Sequence, residues 1–261
     1  MSILNLMNDI NRQYMTKYNY TPCTAKINKY IAIHFVGATG DAIGNCKYFQ
    51  SPNRGASAHV FVNHDGKLYQ SVDFDDIAWH VGAKKFVHKQ CRNTNAIGIE
   101  MCCKKDKNGK WYFTQDTIDS TVELTAALMH QYDIPLGNVI RHYDVTGKIC
   151  PEPYVRQDAL WKAFIKSVQK RYREMTGRYI TTQTVQLRDK NLNKITSMED
   201  FSANMKAKCV QEKNGVKVKK GSEFNVISIK QDSTNGNIWG FTKNGYVIPI
   251  EYNKGIKAAK L

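Results

Sequence analysis

Y-I-A-I-H-F-V, residues 30–36, reads as a β-strand with a histidine in its middle. Side chains two apart on a strand share a face. Ile31, Ile33 and Phe35 therefore lie on one side, and Ala32 and His34 on the other. A-I-G-I-E-M, residues 96–101, repeats the arrangement, with Ile97, Ile99 and Met101 on one face and Ala96, Gly98 and Glu100 on the other. Each strand buries an apolar face and leaves one polar group among small residues, which gives a substrate room to reach His34 and Glu100.

Further elements follow on both sides of this pair. S-A-H-V-F-V (57–62) and K-L-Y-Q-S-V (67–72) form a predicted hairpin across N-H-D-G. Helical spacing is expected over 3–16, with Ile3, Leu6, Met7 and Ile10 on one stripe, and over 115–132, with Ile118, Val122, Thr125 and Met129 aligned. N-V-I-R (138–141) is a short strand that puts His142 on the side of Ile140 at its end. A closing helix is expected over 155–173, with Leu160, Ala163, Phe164, Ser167 and Val168 facing inward. This order gives an α/β fold, a mixed central sheet flanked by helices.

A break follows near Gly177, where a helical pattern gives way to short strand-like segments. These are T-V-Q-L-R (184–188), V-K-V-K-K-G (216–221), F-N-V-I-S-I (224–229), N-I-W-G-F-T (237–242) and G-Y-V-I-P-I-E-Y (245–252), separated by Gly, Asn, Asp and Ser. They predict a small all-β barrel. The expected division is residues 1–175, a linker at 176–182, and residues 183–261.

The 261 residues, 42% of them hydrophobic and 23% charged, belong to the globular class. No apolar run reaches the roughly 18 residues of a membrane span. The amino terminus lacks the basic start and apolar stretch of a secretory signal, so the chain is expected to begin in a cytoplasm. Seven cysteines without regular spacing do not make a disulfide framework, and most are read as reduced. The formal net charge of +15 favours a polyanionic partner: nucleic acid, an anionic membrane surface or an anionic wall polymer. Residues 177–261 are the more basic part, with 15 Lys and Arg against 7 Asp and Glu.

The loop R-H-Y-D-V-T-G-K-I-C-P-E-P-Y (141–154) brings His142, Lys148 and Cys150 within nine positions. Residue chemistry allows a metal site, a cysteine nucleophile with its base, or an accident of composition. A catalytic zinc takes three nitrogen or sulfur ligands and an open position, which His34, His142 and Cys150 would satisfy if sheet pairing brought them together. Cys150 as a nucleophile with His142 as base is chemically sound but leaves His34 and Glu100 without a role. The H-E-x-x-H helix of zinc proteases is absent from the sequence.

Five pieces in order resemble the type 2 N-acetylmuramoyl-L-alanine amidases, which share their fold with peptidoglycan-recognition proteins and many phage endolysins. They are I-A-I-H-F-V around His34, G-A-S-A-H-V-F-V-N-H-D-G-K-L-Y-Q (55–70), A-W-H-V-G (78–82), N-A-I-G-I-E-M (95–101) and R-H-Y-D-V-T-G-K-I-C-P (141–151), within residues 25–173. The resemblance implies zinc held by His34, His142 and Cys150. It gives Glu100 the part of general base and Lys148 that of a cation steadying the oxyanion. His80 and His59 resemble cleft residues that bind substrate, with a buried, hydrogen-bonded histidine the alternative for His59, and Trp79 is read as core rather than a sugar platform. The implied reaction cuts the amide between muramic acid and L-alanine of peptidoglycan. Some relatives have a catalytic tyrosine just before the histidine matching His59; this chain has Ala58 there, which throws more of the acid/base work onto Glu100.

The carboxy-terminal segment resembles the bacterial Src-homology-3-like modules that anchor wall hydrolases. Lys217, Lys219 and Lys220 are candidates for attracting an anionic wall polymer, and Trp239, Phe241 and Tyr246 for a groove or the barrel interior. Together these readings imply a zinc amidase acting as a phage or prophage endolysin on a Gram-positive host. It would be made in the bacterial cytoplasm and act on the wall after release. A host autolysin or spore-associated amidase uses the same chemistry, and a non-catalytic peptidoglycan receptor is the competing class. No nucleic-acid motif accompanies the charge, so none is expected as partner.

Overall fold

The computed structural model describes residues 9–232, 234–253 and 255–260. Of the described residues, those from 9 to 171 and those from 172 onward form two compact units. In the first, the strands are β1 (Tyr20–Thr21), β2 (Tyr30–Phe35), β3 (Val60–Val62), β4 (Leu68–Gln70), β5 (Ile77–Ala78), β6 (Ala96–Met101), β7 (Lys104–Lys105), β8 (Trp111–Tyr112) and β9 (Val139–Arg141). The helices are α1 (Ala42–Phe49), α2 (Gln115–Gln131), α3 (His142–Thr146), α4 (Glu152–Arg156) and α5 (Asp158–Met175), the last reaching into the second unit.

The central sheet has the order β4-β3-β6-β2-β9, with β4 antiparallel to β3 and the other pairings parallel. Ile31, Ile33, Ile97, Ile99 and Met101 are fully buried, and so are Ala32, Ala96 and Gly98 on the opposite side. Central parallel strands are covered on both faces, so alternation here separates large side chains from small ones rather than buried from exposed. The register sets Ala32 against Gly98 and His34 against Glu100.

The helices are capped as their sequences direct. The Asp41 carboxylate accepts from Gly44 N at 2.7 Å at the start of α1, and the Thr114 hydroxyl accepts from Thr117 N at 3.2 Å at the start of α2. Val122, Thr125 and Met129 of α2 are buried as their spacing predicts, while Ile118 is half-buried. In α5, Phe164 and Val168 are buried, but Leu160, Ala163 and Ser167 are exposed. The inward face of that helix is narrower than expected, and Leu160 instead borders a surface groove with Trp111 and Tyr112.

Two other expectations change. Residues 9–16, the described part of the stretch expected as a helix, form bends and turns, with Asn11 bridging to Tyr69. Asn11 N donates to Leu68 O and Gln70 N donates to Asn11 O, both at 2.9 Å, so this segment extends the edge of the sheet. Residues 3–8 lie outside the described residues. The linker expected at 176–182 contains β10 (Gly177–Thr181), which pairs with two strands of the second unit.

That unit continues with β11 (Val185–Gln186), α6 (Ala203–Lys208), β12 (Cys209–Glu212), β13 (Gly215–Val218), β14 (Glu223–Gln231), β15 (Ile238–Thr242), β16 (Val247–Tyr252), β17 (Gly255–Ile256) and β18 (Ala258–Lys260). Its strands form a six-stranded sheet, β17-β16-β15-β14-β10-β18, and a three-stranded sheet, β11-β13-β12. Leu187, Val216, Val218, Val226, Ile248 and Ile250 share one apolar core between them. Among the described residues no helix is long and apolar enough to cross a membrane.

Candidate metal centre

The expected strand end at His142 is instead the first residue of α3. Asp144 holds this corner: its carboxylate accepts from the backbone N of Arg141 at 2.8 Å and from the Arg141 guanidinium at 2.8 and 3.1 Å. Gly147 ends the helix in the left-handed region at φ 81°, donating to Tyr143 O at 2.8 Å. The chain then doubles back. Tyr143 N donates to Cys150 O at 2.8 Å, which sets Cys150 beside His142. A cis peptide links Cys150 to Pro151.

Parallel pairing of β9 with β2 brings this loop to His34. The ligand atoms of His34, His142 and Cys150 lie within 4.8 Å of one another, and all three residues are buried. His34 Nδ1 is 3.8 Å from Cys150 Sγ and 3.9 Å from Glu100 Oε1. Nδ1 is thus the nitrogen turned to the cluster. The other nitrogen, Nε2, lies 3.0 Å from His80 Nδ1. Metal ligation through Nδ1 leaves the His34 proton on Nε2, where it is donated to His80; His80 then donates from its own Nε2 to Ala96 O at 3.3 Å. Buried His142 Nδ1 and Glu100 Oε2 have no hydrogen-bond partner. Two imidazoles and a thiol, with an orphaned ring nitrogen among them, fit a zinc ion, and these three residues would hold it.

Burial governs the charges. It holds His34 well below the ordinary imidazole range and brings His142 down to about 4, with the neighbouring cationic groups, Lys148 among them, adding to the effect. It pushes the Cys150 thiol up to about 12. It lifts Glu100 to about 7 against the opposing pull of Lys148. The site is therefore a set of neutral donors beside a carboxyl poised near neutrality.

A cleft of about 800 Å³ opens onto this cluster, bordered by Trp79, His80, Asn93, His142, Gly147 and Lys148. Lys148 stands exposed at its rim. His80 touches both the cleft and His34, so it positions a ligand residue as well as facing the substrate space. Trp79 is half-buried on the cleft wall rather than in the core, its indole N–H donating to Thr21 Oγ1 at 3.0 Å. Gly98 has a steric reason to be glycine: a Cβ there would stand 2.6 Å from His80 Cγ. Asn93 escaped the sequence reading; its Oδ1 accepts from His80 N at 3.1 Å and Val81 N at 2.8 Å, a pairing across 12 to 13 residues that no local motif signals.

Of the two readings of His59, the geometry matches the buried, hydrogen-bonded histidine rather than a substrate-binding one. His59 is fully buried and does not border the cleft. Gly98 N donates to its Nδ1 at 2.9 Å, which places the ring proton on Nε2, 3.2 Å from Asp76 O and 2.8 Å from Lys26 Nζ. Lys26 donates to Phe74 O at 3.1 Å and Asp76 O at 2.7 Å. Every group is satisfied when Lys26 is a neutral amine that takes the His59 proton on its lone pair. Burial brings this lysine down to about 8. His59 thus fixes the backbone of β6 at Gly98, and Lys26 fixes His59. Ala58, in place of the tyrosine of some relatives, is 1% exposed and offers no acid or base.

The cysteines are all free, and Cys150 alone belongs to the cluster.

Residues 24–153 match the N-acetylmuramoyl-L-alanine amidase family. A probable N-acetylmuramoyl-L-alanine amidase of Bacillus licheniformis is 34% identical over 54% of this chain and 41% of its own length. The amidase CwlL of the same species is 29% identical over 60% of this chain and 45% of its own. The match thus spans less than half of either relative. Among solved structures, a mutant endolysin from Bacillus subtilis aligns with a TM-score of 0.50 at 27% identity, covering 61% of this chain and 97% of that one. A mutant of PlyL aligns at 0.51 and 26% identity, over 61% and 98%. With the matched segment enclosing His34, Glu100, His142 and Cys150, the amino-terminal unit of this chain belongs to the N-acetylmuramoyl-L-alanine amidase family.

Proposed function

We propose that the protein hydrolyses the amide bond between the lactyl group of N-acetylmuramic acid and L-alanine in bacterial peptidoglycan, with zinc held by His34, His142 and Cys150. The observation that carries this reading is the buried His-His-Cys cluster with Glu100 3.9 Å from His34, open to a cleft lined by Lys148. Zinc, when bound, polarises the amide carbonyl and acidifies water. Glu100, lifted to about 7, takes the proton of the attacking water and returns it to the leaving amine. Lys148 offsets the negative charge that develops on the carbonyl oxygen. His80 holds His34 in one tautomer and one orientation.

The biological setting we infer is that of an endolysin acting on a Gram-positive wall, since one of the structural neighbours is an endolysin from Bacillus subtilis. The catalytic region is taken as residues 1–175, and the all-β unit as a Src-homology-3-like wall binder that raises the effective concentration of the enzyme on an insoluble substrate. A non-catalytic receptor has no use for a carboxyl tuned to neutrality beside a complete ligand set. Digestion of purified cell walls tests the reaction. New L-alanine amino groups that vanish with a chelator are expected; new reducing sugars without amino groups would refute it.

A further inference from the structure

In the second unit the lysines that cluster in the sequence are largely engaged. Lys217 pairs with Glu212 at 2.6 Å, and Lys219 donates to Ala207 O at 3.0 Å. A different group of cations surrounds a pocket of about 260 Å³ bordered by Arg188, Lys194, Trp239, Pro249, Tyr252 and Lys257. Among the described residues no acidic side chain borders it.

Two of these residues carry buried N–H groups with nothing to donate to. Trp239 is 4% exposed, and its Nε1 has no acceptor. Arg188 Nε is likewise buried without an acceptor. Buried donors are normally paired, so two orphans on residues that line one pocket mark a place where an acceptor belongs. Both are fixed in position. Arg188 Nη1 donates to Leu192 O at 2.5 Å, and its guanidinium lies 5.0 Å from the centre of the Trp239 ring. The Trp239 ring meets Tyr252 edge-on at 5.7 Å, and its strand pairs with Pro249 and Lys230 on either side. Backbone bonds between Arg188 and Val247, at 3.1 and 2.9 Å, hold the arginine to the same sheet.

We propose that this pocket binds a phosphate group of a polyanionic polymer, with Arg188 Nε and Trp239 Nε1 donating to its oxygens and Lys194 and Lys257 flanking it. Three cations around one group suit a phosphate better than a single carboxylate, and an arginine edge matches phosphate oxygens. Pro249 and Tyr252 give the carbon spacer of such a polymer an apolar wall. The anion site stands on the pocket's own donors; its assignment to the bacterial wall rests on the function proposed above.

The full chain, labelled with ¹⁵N, tests this directly. It contains four tryptophans, and Trp239→Phe identifies the indole signal of interest. Titration with inorganic phosphate and with a glycerol phosphate oligomer is expected to shift the Trp239 indole signal, the oligomer at lower concentration. Lys194→Gln with Lys257→Gln, which leaves the Arg188–Trp239 contact untouched, is expected to weaken oligomer binding at least tenfold. An unmoved indole signal at saturating oligomer, undiminished affinity in the double variant, or equally tight binding of polyglutamate would each overturn the proposal. Cleavage of a soluble muramoyl peptide, measured alongside, reports the amidase separately: phosphate binding without cleavage sinks the function and leaves the pocket, and the reverse does the opposite.

Discussion

Replacing Glu100 by glutamine separates its electrostatic cost from its chemical use. The carboxyl is raised from 4.5 to about 7, chiefly by burial, and its side chain is only 20% exposed. An unfolded chain loses this proton near 4.5 and the folded, metal-free chain near 7, so between those values the native state binds more protons. Stability conferred on the metal-free protein therefore falls as pH rises through that window, and the full cost stands above it. At about 1.4 kcal/mol per unit, the ionised carboxylate costs the metal-free fold up to about 3 kcal/mol. Glutamine keeps the shape and removes the charge. Metal-free Glu100→Gln should thus exceed the native chain in stability by about 2–3 kcal/mol more at pH 8 than at pH 5. For a unit of this size that is a gap in Tm of roughly 5–10 °C, read by scanning calorimetry. Zinc should shrink the gap, because a nearby cation favours the carboxylate. With zinc bound, the variant keeps all three metal ligands and loses about 10²- to 10⁴-fold in turnover. A stability gap independent of pH would refute the burial argument, and full turnover would remove Glu100 from the chemistry.

Zinc uptake at pH 8.5 should release at least one proton: both imidazoles are already neutral and Glu100 ionised, while the Cys150 thiol, pushed up to about 12, still holds its hydrogen, and water acidified by the metal adds to the count. Calorimetry in buffers of different ionisation enthalpy counts the release; Cys150→Ser should lose the metal, and a count of zero for the native chain contradicts the assignment. Gly98→Ala puts a methyl group 2.6 Å from His80 Cγ, so it should cost about 1–3 kcal/mol in denaturant melts. By loosening His80 from His34 it should also weaken zinc about 10- to 100-fold, and unchanged zinc affinity would show that His80 does not position His34. Lys26 carries a depressed pKa of about 8, so the stability of the native chain should rise as pH climbs from there toward 10.5, where the unfolded lysine still holds its proton. Lys26→Met should flatten that rise, and an identical pH profile in the variant would mean that the lysine is charged in the fold.

What the sequence made legible was local period; what it hid was distance and partner. Alternation in 30–36 and 96–101 located both central strands and the faces of His34 and Glu100, because small residues beside a polar one stand out against a run of isoleucines. His59 also alternates correctly, yet its role turns on Lys26, 33 residues away, and on the Gly98 amide, neither of which periodicity announces. Leu160 and Ser167 fit a helical stripe on α5 but face outward, since period fixes which residues share a face and not how wide the covered part is. In the tail, clustered lysines drew attention by adjacency, whereas Arg188, Lys194 and Lys257 converge only through strand pairing.

Register is the link between the core and the chemistry. His34 faces Glu100 because Ile31 pairs with Ile97 and Ile33 with Ile99. All four isoleucines are fully buried. A slip of one residue between β2 and β6 would drive isoleucines onto the buried face of small residues where His80 already lies, at a cost of about 1–3 kcal/mol for each overpacked position. The same slip would carry Glu100 from His34 and break the pairing of Ala32 with Gly98, the place where His80 lies against the sheet. The apolar face that takes no part in the reaction therefore sets the 3.9 Å between His34 and Glu100, and the reactive face inherits its geometry from the packing behind it.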